Sequence, residues 1–447
     1  MTRILAGSLG GLVLFIGLLA PAVAEQLAFN RSADYPGSGF SPRAIAEEAD
    51  GDLLQRARER LGQRVQRHPG DTEARLLLGL IHFREGDYAA ALESLDEVVR
   101  RAPDFQLAHL VRGDLLLSRS RVVAGLGGNG VAAAVEGEGD LSRNALRAEA
   151  RARLEGYLET LRTDRVPAAL LQLSPDNPVA LLVDKRHNRL YVYERRGEGR
   201  PPRRVRDHYV STGQARGDKE REGDLRTPEG VYFVQEFLED GELPAEYGLG
   251  AFTLDYPNPL DRRRGKTGYG IWLHGTDRRF FSRPPLDSEG CVVLPNLNLQ
   301  GLRGSVAPGT PVVIAERLDW IDHEQWRQRR QAARQAVEGW RRSWEAMAVD
   351  RYLAHYDADF WSPRGEREAW ADYKRRVLAT KTDQAIRLDR RALLAYPDAA
   401  AGPAGELVVA RFRQDYDSNN YRGVMDKQLY LRREAGDWSV LYEGPAP

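Results

Sequence analysis

The sequence is short of cysteine: Cys291 is the only one among 447 residues. A lone thiol cannot close an intramolecular disulfide bond, so a fold held together by disulfides is excluded. Two interpretations of the thiol stay open at this stage. It is either a small apolar side chain buried for packing or a reactive nucleophile. Only the residues around it distinguish the two.

The sequence also lacks an excess of charge of either sign. Lys+Arg and Asp+Glu number 65 each, and the mean hydropathy of -0.53 is that of a soluble protein. A balanced charge argues against nucleic acid or an anionic membrane surface as the partner, so recognition must reside in local sites. The eight histidines show no metal-ligand spacing, and zinc-peptidase motifs are absent. We therefore expect neither a metal nor another cofactor.

Long apolar runs are missing except at the N terminus. Arg3 gives a short positive segment, residues 4–19 form a Gly/Leu-rich apolar run, and Ala22-Val23-Ala24 is a small-residue cleavage site. The run is shorter than the roughly 20 residues of a membrane span. We expect a signal peptide over residues 1–24, cleavage near Ala24, a periplasmic protein, and no membrane span after cleavage. No cysteine follows the apolar run, which excludes a lipoprotein anchor.

Residues 44–162 have helical periodicity. Two amphipathic helices are predicted over residues 75–83 and 88–101, and Pro69 and Pro103 bracket them. The small and apolar residues between the prolines resemble the packing positions of a tetratricopeptide repeat: Leu78, Gly79, Ala91 and Leu95, with Gly113 repeating Gly79. Stacked repeats form binding surfaces. We expect this module to dock a protein partner or to mediate self-association.

A glycine motif within this region invites a different interpretation. Residues 125–130 match the G-x-G-x-x-G pattern of dinucleotide-binding loops. The pattern needs a strand before it and a helix after it within a βαβ unit, and no such frame is evident here. We interpret residues 125–140 as a flexible loop, followed by a helix over residues 142–161.

Residues 177–316 change to the pattern of short strands. Residues 179–183 and 189–193 predict a β-hairpin. Further strands are predicted, separated by Pro- and Gly-containing turns, over residues 205–210, 231–234, 252–254, 270–273 and 312–314. This region is predicted to be a mostly β domain.

The last region, residues 320–447, combines helix and sheet. Residues 320–353 predict one long charged helix that carries Trp340 and Trp344 on one face, either for packing or for binding sugars. Strands of a meander follow over residues 406–414, 421–432 and 438–442. A helix before a curled antiparallel sheet resembles the α+β SnoaL-like fold, a cystatin-like cone. The aromatic residues available to line the cone are Tyr352, Tyr356, Phe360 and Trp361.

The lone thiol lies seventeen residues after a histidine. His274-Gly275 closes a predicted strand, and Ser288-Glu289-Gly290-Cys291 precedes another apolar run. A thiol with a pKa of about 8.5 is only slightly ionised at neutral pH, so an imidazole that accepts its proton raises its reactivity. Gly290 allows a close approach of substrate, and the N–H groups of Gly290 and Cys291 are candidates to stabilise an oxyanion.

Several motifs stand in order around this pair: Ser211-Thr212-Gly213, the stretch from Gly223 to Gly230, Tyr256-Pro257-Asn258, the stretch from Gly270 to Gly275, and Ser288 to Cys291. Together they resemble the YkuD-type (ErfK/YbiS) L,D-transpeptidase family over residues 177–316. The resemblance implies a β-sandwich that cleaves the bond between the diamino acid and the terminal D-alanine of peptidoglycan tetrapeptide stems. It also implies that Cys291 is the nucleophile, His274 the base, and the Gly275 carbonyl the group that orients the histidine.

Candidate substrate-binding residues are Ser288, Gly290, Arg226 and Arg278. Arg226 is equally well suited to brace a turn. Arginines can clamp the carboxylates of a stem peptide. The alternative for the clusters at residues 262–266 and 278–279 is a solvated basic surface.

Two positions depart from the family signature. Glu289 replaces the usual histidine, and Val293 replaces a frequent arginine. Three functions therefore stay open: L,D-transpeptidation onto an amine, L,D-carboxypeptidation by water, and a wall-binding scaffold without activity. The order of the three domains also resembles that of cell-shape-determining L,D-carboxypeptidases, in which water is the acceptor.

Overall fold

The computed structural model of the protein describes residues 51–118, 143–162, 165–397 and 406–446. The predicted signal peptide (residues 1–24) and the glycine motif at residues 125–130 lie outside the described residues. The described part contains a helical module, a β domain and a C-terminal α+β domain. None of its helices has the length and apolar character that crossing a membrane requires.

The described residues of the helical module form five helices: α1 (Gly51–Arg67), α2 (Thr72–Glu85), α3 (Tyr88–Arg101), α4 (Gln106–Ser118) and α5 (Arg143–Leu161). Capping residues fix where helices α2 and α3 begin and where α2 ends. The Asp71 side chain accepts a hydrogen bond from the Ala74 N–H at 2.8 Å, and Asp87 does the same for Ala90 at 3.0 Å. Gly86 ends α2 in the left-handed conformation at φ 84°. The predicted helix pair is confirmed.

The β domain is built on an eight-stranded mixed sheet in the order β11-β9-β8-β7-β12-β3-β4-β5. Its strands are β3 (Val179–Asp184), β4 (Arg189–Glu194), β5 (Arg203–Tyr209), β7 (Gly230–Leu238), β8 (Ala251–Leu254), β9 (Trp272–His274), β11 (Val292–Val293) and β12 (Pro311–Ala315). The predicted β3–β4 hairpin is present. A parallel pair, β6 (Thr212–Gly213) with β10 (Leu286–Ser288), and the helices α6 (Pro259–Arg263) and α7 (Asn296–Arg303) complete the domain.

The C-terminal domain wraps a seven-stranded sheet, β15-β14-β19-β18-β17-β16-β2, around helices. Its strands are β14 (Tyr356–Ser362), β15 (Gly365–Glu366), β16 (Gln384–Ala395), β17 (Glu406–Ser418), β18 (Tyr421–Glu434) and β19 (Asp437–Pro445), with β2 (Leu170–Gln172) added at the edge. Strand β1 (Val166–Pro167) pairs separately with β13 (Trp320–Ile321). Thus the segment that precedes the β domain also closes the C-terminal sheet.

The prediction of one helix over residues 320–353 is wrong. This region begins instead with strand β13. Helix α8 (His323–Glu345) then starts at a capping box formed by Asp322 and Gln325. Met347, at φ 54°, interrupts the helix before α9 (Val349–Leu353). The last helix, α10 (Arg367–Leu378), follows β15.

The two tryptophans of α8 serve packing. Trp340 is fully buried and Trp344 nearly so, within one aromatic cluster of the C-terminal domain. Tyr352, Tyr356 and Phe360 line the same interior, as predicted for a cone. Trp361 does not: it packs against Tyr430 and Tyr442 on the opposite face of the sheet, because successive strand residues point to opposite sides.

That opposite face joins the C-terminal domain to the β domain. One continuous core contains Leu182, Val231 and Val313 of the β domain together with Val409 and Tyr430 of the C-terminal sheet. At its edge the Asn258 side-chain amide donates to the Tyr396 hydroxyl at 2.6 Å. Burial of this shared apolar surface stabilises the relative position of the two domains.

A charged group lies inside the aromatic cone. Glu443 is buried and accepts hydrogen bonds from Lys427 at 2.5 Å and from the Tyr356 hydroxyl at 2.6 Å. Burial lowers the pKa of Lys374 to about 7, against the attraction of Glu443. Burial alone would raise the pKa of Glu443, but Lys427 and Lys374 hold this pKa below its usual value. The carboxylate is therefore the counter-ion of two buried lysines.

We predict that Glu443→Gln destabilises the C-terminal domain by about 3–5 kcal/mol, because it leaves a buried ammonium group without its anion. Urea unfolding followed by tryptophan fluorescence measures this loss. The matched control is Asp372→Asn, which removes an exposed ion pair with Arg375 and should leave stability unchanged. A loss no larger than that of the control would contradict the assignment.

Candidate active site

Two short parallel strands bring Cys291 and His274 together. In the register of β9 with β11, Val292 faces Leu273 and Val293 faces His274. Cys291 directly precedes β11, so this register places it beside Trp272, two residues before the histidine. Because alternate residues of a strand share a face, Cys291 and His274 lie on the same face of the sheet. The Leu294 N–H donates to the His274 carbonyl at 2.8 Å and fixes this register.

The turn before Cys291 is held by Ser288 and Gly290. The Ser288 hydroxyl donates to the Cys291 carbonyl at 2.6 Å and accepts from the Gly290 N–H at 3.2 Å. Gly290 has φ 132°, and a Cβ at this position would lie 2.8 Å from the Arg226 carbonyl. The turn therefore requires glycine. Ser288, predicted to bind substrate, has its hydroxyl committed to the turn.

The protonation of His274 follows from one hydrogen bond. Its Nδ1 lies 2.6 Å from the Gly275 carbonyl oxygen, which can only accept, so Nδ1 carries a proton. Burial lowers the pKa of His274 to about 4, an effect that the Gly275 bond opposes and Arg283 reinforces. At neutral pH the imidazole is thus neutral, with Nε2 as its basic atom. This is the orienting contact that the resemblance implied for Gly275.

Cys291 rests as a thiol. It is half-buried, and its Sγ donates to the Gly270 carbonyl at 3.3 Å. Burial raises the pKa of Cys291 to about 11; the Trp272 backbone, Arg283 and Lys219 oppose the rise, and Glu289 adds to it. The Glu289 residue is exposed. Its effect on the thiol is therefore a minor addition to that of desolvation.

Tyr247 and Asn296 are site residues that the sequence did not reveal. The Tyr247 ring packs on the His274 ring with centroids 4.7 Å apart. The Asn296 side chain accepts from the Leu249 and Thr276 N–H groups at 3.1 and 3.2 Å and donates to the Thr276 carbonyl at 2.7 Å. Asn296 thus ties together the two loops that flank the histidine. These contacts join distant segments, so no local pattern marks them.

The predicted arginines occupy different places. The Arg226 backbone lies against Gly290, while its side chain, 37% exposed, donates to the Asp218 carbonyl at 3.4 Å. Arg278 is 63% exposed and forms an ion pair with Asp240. Arg283, which we did not predict, lowers the pKa of both His274 and Cys291. Its guanidinium donates to the Thr276 hydroxyl at 3.3 Å and to the Glu246 carbonyl at 2.9 Å.

The cluster at residues 262–266 supports the fold. Lys266 is buried and bonded to Asp218 at 2.6 Å and Asp261 at 3.1 Å. Arg263 pairs with Glu366 of the C-terminal domain at 2.9 Å. Neither side chain is a free cation. In the described part of the chain, no group of three or more His, Cys, Asp or Glu side chains is arranged to hold a metal ion.

The loop that carries Arg283 is anchored to the helical module. The Phe281 ring stacks on Phe105 of the α3–α4 turn with centroids 4.1 Å apart. The Ser282 hydroxyl donates to Glu149 of α5 at 2.7 Å. The Tyr209 hydroxyl donates to the Arg283 carbonyl at 2.9 Å. Three consecutive residues of this loop, eight to ten positions before Cys291, are therefore held in place.

A buried arginine underlies these contacts. Arg153 of α5 is fully buried, binds Glu149 at 2.8 Å, and pairs with Glu73 of α2. Its guanidinium lies over the Tyr209 ring, 3.9 Å from the centroid. One side chain thus connects two helices of the module with a strand of the β domain.

The β domain and its flanking regions resemble known proteins. The model of the L,D-transpeptidase catalytic domain (YkuD) matches residues 178–314. The Bd1075 structure from Bdellovibrio bacteriovorus has 30% sequence identity and a TM-score of 0.55, covering 64% of this chain and 99% of its own. The chain belongs to the YkuD-type L,D-transpeptidase family. Members of this family act on peptidoglycan.

The regions that flank the YkuD-type domain also match known domains. Residues 332–444 match the Cds6 C-terminal NTF2-like domain, and residues 42–104 and 83–127 match a tetratricopeptide repeat. The helical cell shape determining protein Pgp2 from Campylobacter jejuni is 28% identical, with a TM-score of 0.52, over 64% of this chain and 96% of its own. A comparison with curated protein sequences gave no match. The predicted TPR-like, YkuD-type and cone-shaped regions are confirmed.

We predict that the rate of iodoacetamide alkylation of Cys291 in the folded protein rises with pH without a plateau. With pKa values of about 4 for His274 and about 11 for Cys291, the pair is neutral at pH 7. The rate should rise roughly tenfold per pH unit between about pH 7 and pH 10, because the thiolate reacts. Intact-protein mass spectrometry measures the single adduct.

The control for this measurement is the protein unfolded in urea, whose thiol should level off above its ordinary pKa of about 8.5. A plateau below pH 8 in the folded enzyme would indicate a thiolate–imidazolium pair and contradict the neutral assignment.

We further predict that Phe281→Ala lowers Cys291-dependent turnover on the order of tenfold or more, because it frees the loop that carries Arg283. Phe280→Ala is the matched control, since that neighbouring ring contacts Arg279 of its own loop. Turnover and alkylation are measured on both variants. Equal activity of the two would show that the stack on Phe105 does not position the site.

Proposed function

We propose that this protein cleaves the bond between the diamino acid and D-alanine of peptidoglycan tetrapeptide stems through a thioester on Cys291. The observation that carries the proposal is the placement of a lone thiol and a neutral imidazole on two paired strands. The hydrogen bond of His274 Nδ1 to the Gly275 carbonyl leaves Nε2 available as a base. General-base activation of a thiol requires this arrangement.

In the proposed reaction the thiol exchanges the Gly270 carbonyl for His274 Nε2, which takes its proton. Sγ attacks the carbonyl carbon of the diamino acid, and the carbon–nitrogen bond breaks. The imidazolium returns the proton to the departing amine of D-alanine. The Cys291 N–H is the candidate donor to the tetrahedral oxyanion, because the Gly290 N–H already donates to Ser288.

The second half of the reaction depends on the acceptor. Attack of an amine on the thioester gives a cross-link, and attack of water gives a tripeptide stem. In both cases His274 removes a proton from the acceptor and returns it to Sγ, which restores the thiol. Membership of the L,D-transpeptidase family favours an amine as the acceptor. The match to Pgp2 over 96% of its length favours water as the second candidate, since that protein is described as a determinant of helical cell shape.

The site of action follows from the substrate. Peptidoglycan lies outside the cytoplasmic membrane, and the N-terminal segment has the charge, apolar run and cleavage site of a signal peptide. We therefore place the protein in the periplasm as part of the proposal. The proposal also includes that the helical module binds a protein partner or mediates self-association.

We predict that purified tetrapeptide muropeptides lose D-alanine when incubated with the protein and that Cys291→Ala abolishes this release. His274→Gln should lower the rate by about 10²–10⁴-fold, the usual contribution of a general base. Mass spectrometry resolves the products: cross-linked dimers identify transpeptidation, and tripeptide alone identifies carboxypeptidation.

The third outcome is decisive against the proposal. No Cys291-dependent product, from protein whose thiol still alkylates as in the native fold, would identify a wall-binding scaffold. Exposed Arg279→Gln is a suitable control variant, because Arg279 forms its ion pair with the nearby Asp277 of the same loop and should not be needed for activity.

A further inference from the structure

A cleft lined by arginines lies where the β domain, α8 and the C-terminal sheet meet. Its walls are the loop after β4 (residues 195–202), one face of α8, and residues 388–391 of β16. It encloses about 230 Å³ and continues along α8 into a wider groove. Domain junctions of this kind are common places for ligand sites.

The positive charge of this cleft is only partly neutralised. Among the described residues, no carboxylate lies within ion-pair distance of three of its guanidinium groups, those of Arg195, Arg200 and Arg330. Arg391 has only a 3.7 Å contact with Glu338, and this carboxylate also binds Arg341 at 2.7 Å and Arg342 at 3.1 Å. The guanidinium groups therefore outnumber the carboxylates available to them.

A backbone irregularity brings two of these arginines to the same cleft. Successive residues of a regular strand point to opposite faces. Arg390 and Arg391 nevertheless both line the cleft, because a bulge shifts the register between Asp389 and Ala392. Arg390 has φ 57°, a left-handed conformation that is unfavourable for a residue with a side chain. Bulges re-aim side chains and recur beside functional sites.

The positive charges of the cleft act on one another. Burial lowers the pKa of Arg330, Arg334 and Arg195 lower it further, and Glu198, which also lines the cleft, opposes them. Burial also lowers the pKa of Arg391, against the attraction of Glu338. Guanidinium groups held close together repel one another, and an oxyanion that bridges them relieves this repulsion.

We propose that this cleft binds an oxyanion ligand with at least two closely spaced carboxylate or phosphate groups. Planar guanidinium groups bind both kinds of group in a bidentate manner. The site involves none of the residues assigned to the Cys291 chemistry, so it goes beyond the proposed function. If the ligand is a carboxylate-rich stem peptide, the cleft is a second point of attachment to the cell-wall polymer.

Isothermal titration calorimetry on the full chain tests this proposal. The Cys291→Ala background prevents turnover, and the two probes are inorganic pyrophosphate and a tripeptide muropeptide whose charges are carboxylates. We expect at least one probe to bind, and Arg330→Gln with Arg391→Gln to weaken it about tenfold or more, the effect of losing a charge-assisted hydrogen bond. Binding should also weaken as ionic strength rises.

Arg375→Gln, an exposed arginine of α10, is the matched control and should leave affinity unchanged. Loss of pyrophosphate binding alone identifies a phosphate ligand, and loss of muropeptide binding alone identifies a carboxylate ligand. Binding of neither probe, or equal affinity in the double variant and the control, would overturn the proposal. Circular dichroism verifies that each variant is folded. The pyrophosphate result is independent of whether the protein cleaves peptidoglycan.

Discussion

The buried Arg153 is the group on which the position of the active-site loop depends. A guanidinium removed from water is tolerated only when anions and hydrogen-bond acceptors surround it, so its partners are fixed as firmly as the arginine itself. One of them, Glu149, also binds Ser282, and the Tyr209 ring beneath the guanidinium holds the Arg283 carbonyl through its hydroxyl. The helical module is therefore part of the scaffold of the catalytic domain, whatever else it binds.

This scaffold matters because Cys291 and His274, the proposed catalytic pair, are neutral and desolvated at rest. Burial disfavours both the thiolate and the imidazolium, which leaves Cys291 protonated and His274 basic. Arg283 is the charge that acts on both groups, and it favours the thiolate while disfavouring the imidazolium. A shift of the loop that carries Arg283 would change both protonation equilibria together. Anchoring three consecutive loop residues limits such shifts.

The sequence allowed the domain order and the β3–β4 hairpin to be predicted, because periodicity and turn residues are local signals. Cys291 and His274 could be singled out because one is unique and the other ends a strand. The long helix over residues 320–353 was predicted wrongly, because its charged pattern runs through the Asp322 cap and the Met347 break. Tyr247, Arg283 and Asn296 went unnoticed for a different reason: each acts across a tertiary contact that leaves no spacing in the sequence.

The C-terminal domain is not an independent unit attached to the β domain. Strand β2, which precedes the β domain in sequence, completes the C-terminal sheet, and the outer face of that sheet shares a core with β7 and β12. The central strand β7 continues through β8 to β9, which carries His274. Removal of the C-terminal domain would expose one face of the sheet that orders His274. The two domains therefore form one structural unit, and the arginine-lined cleft lies at their junction.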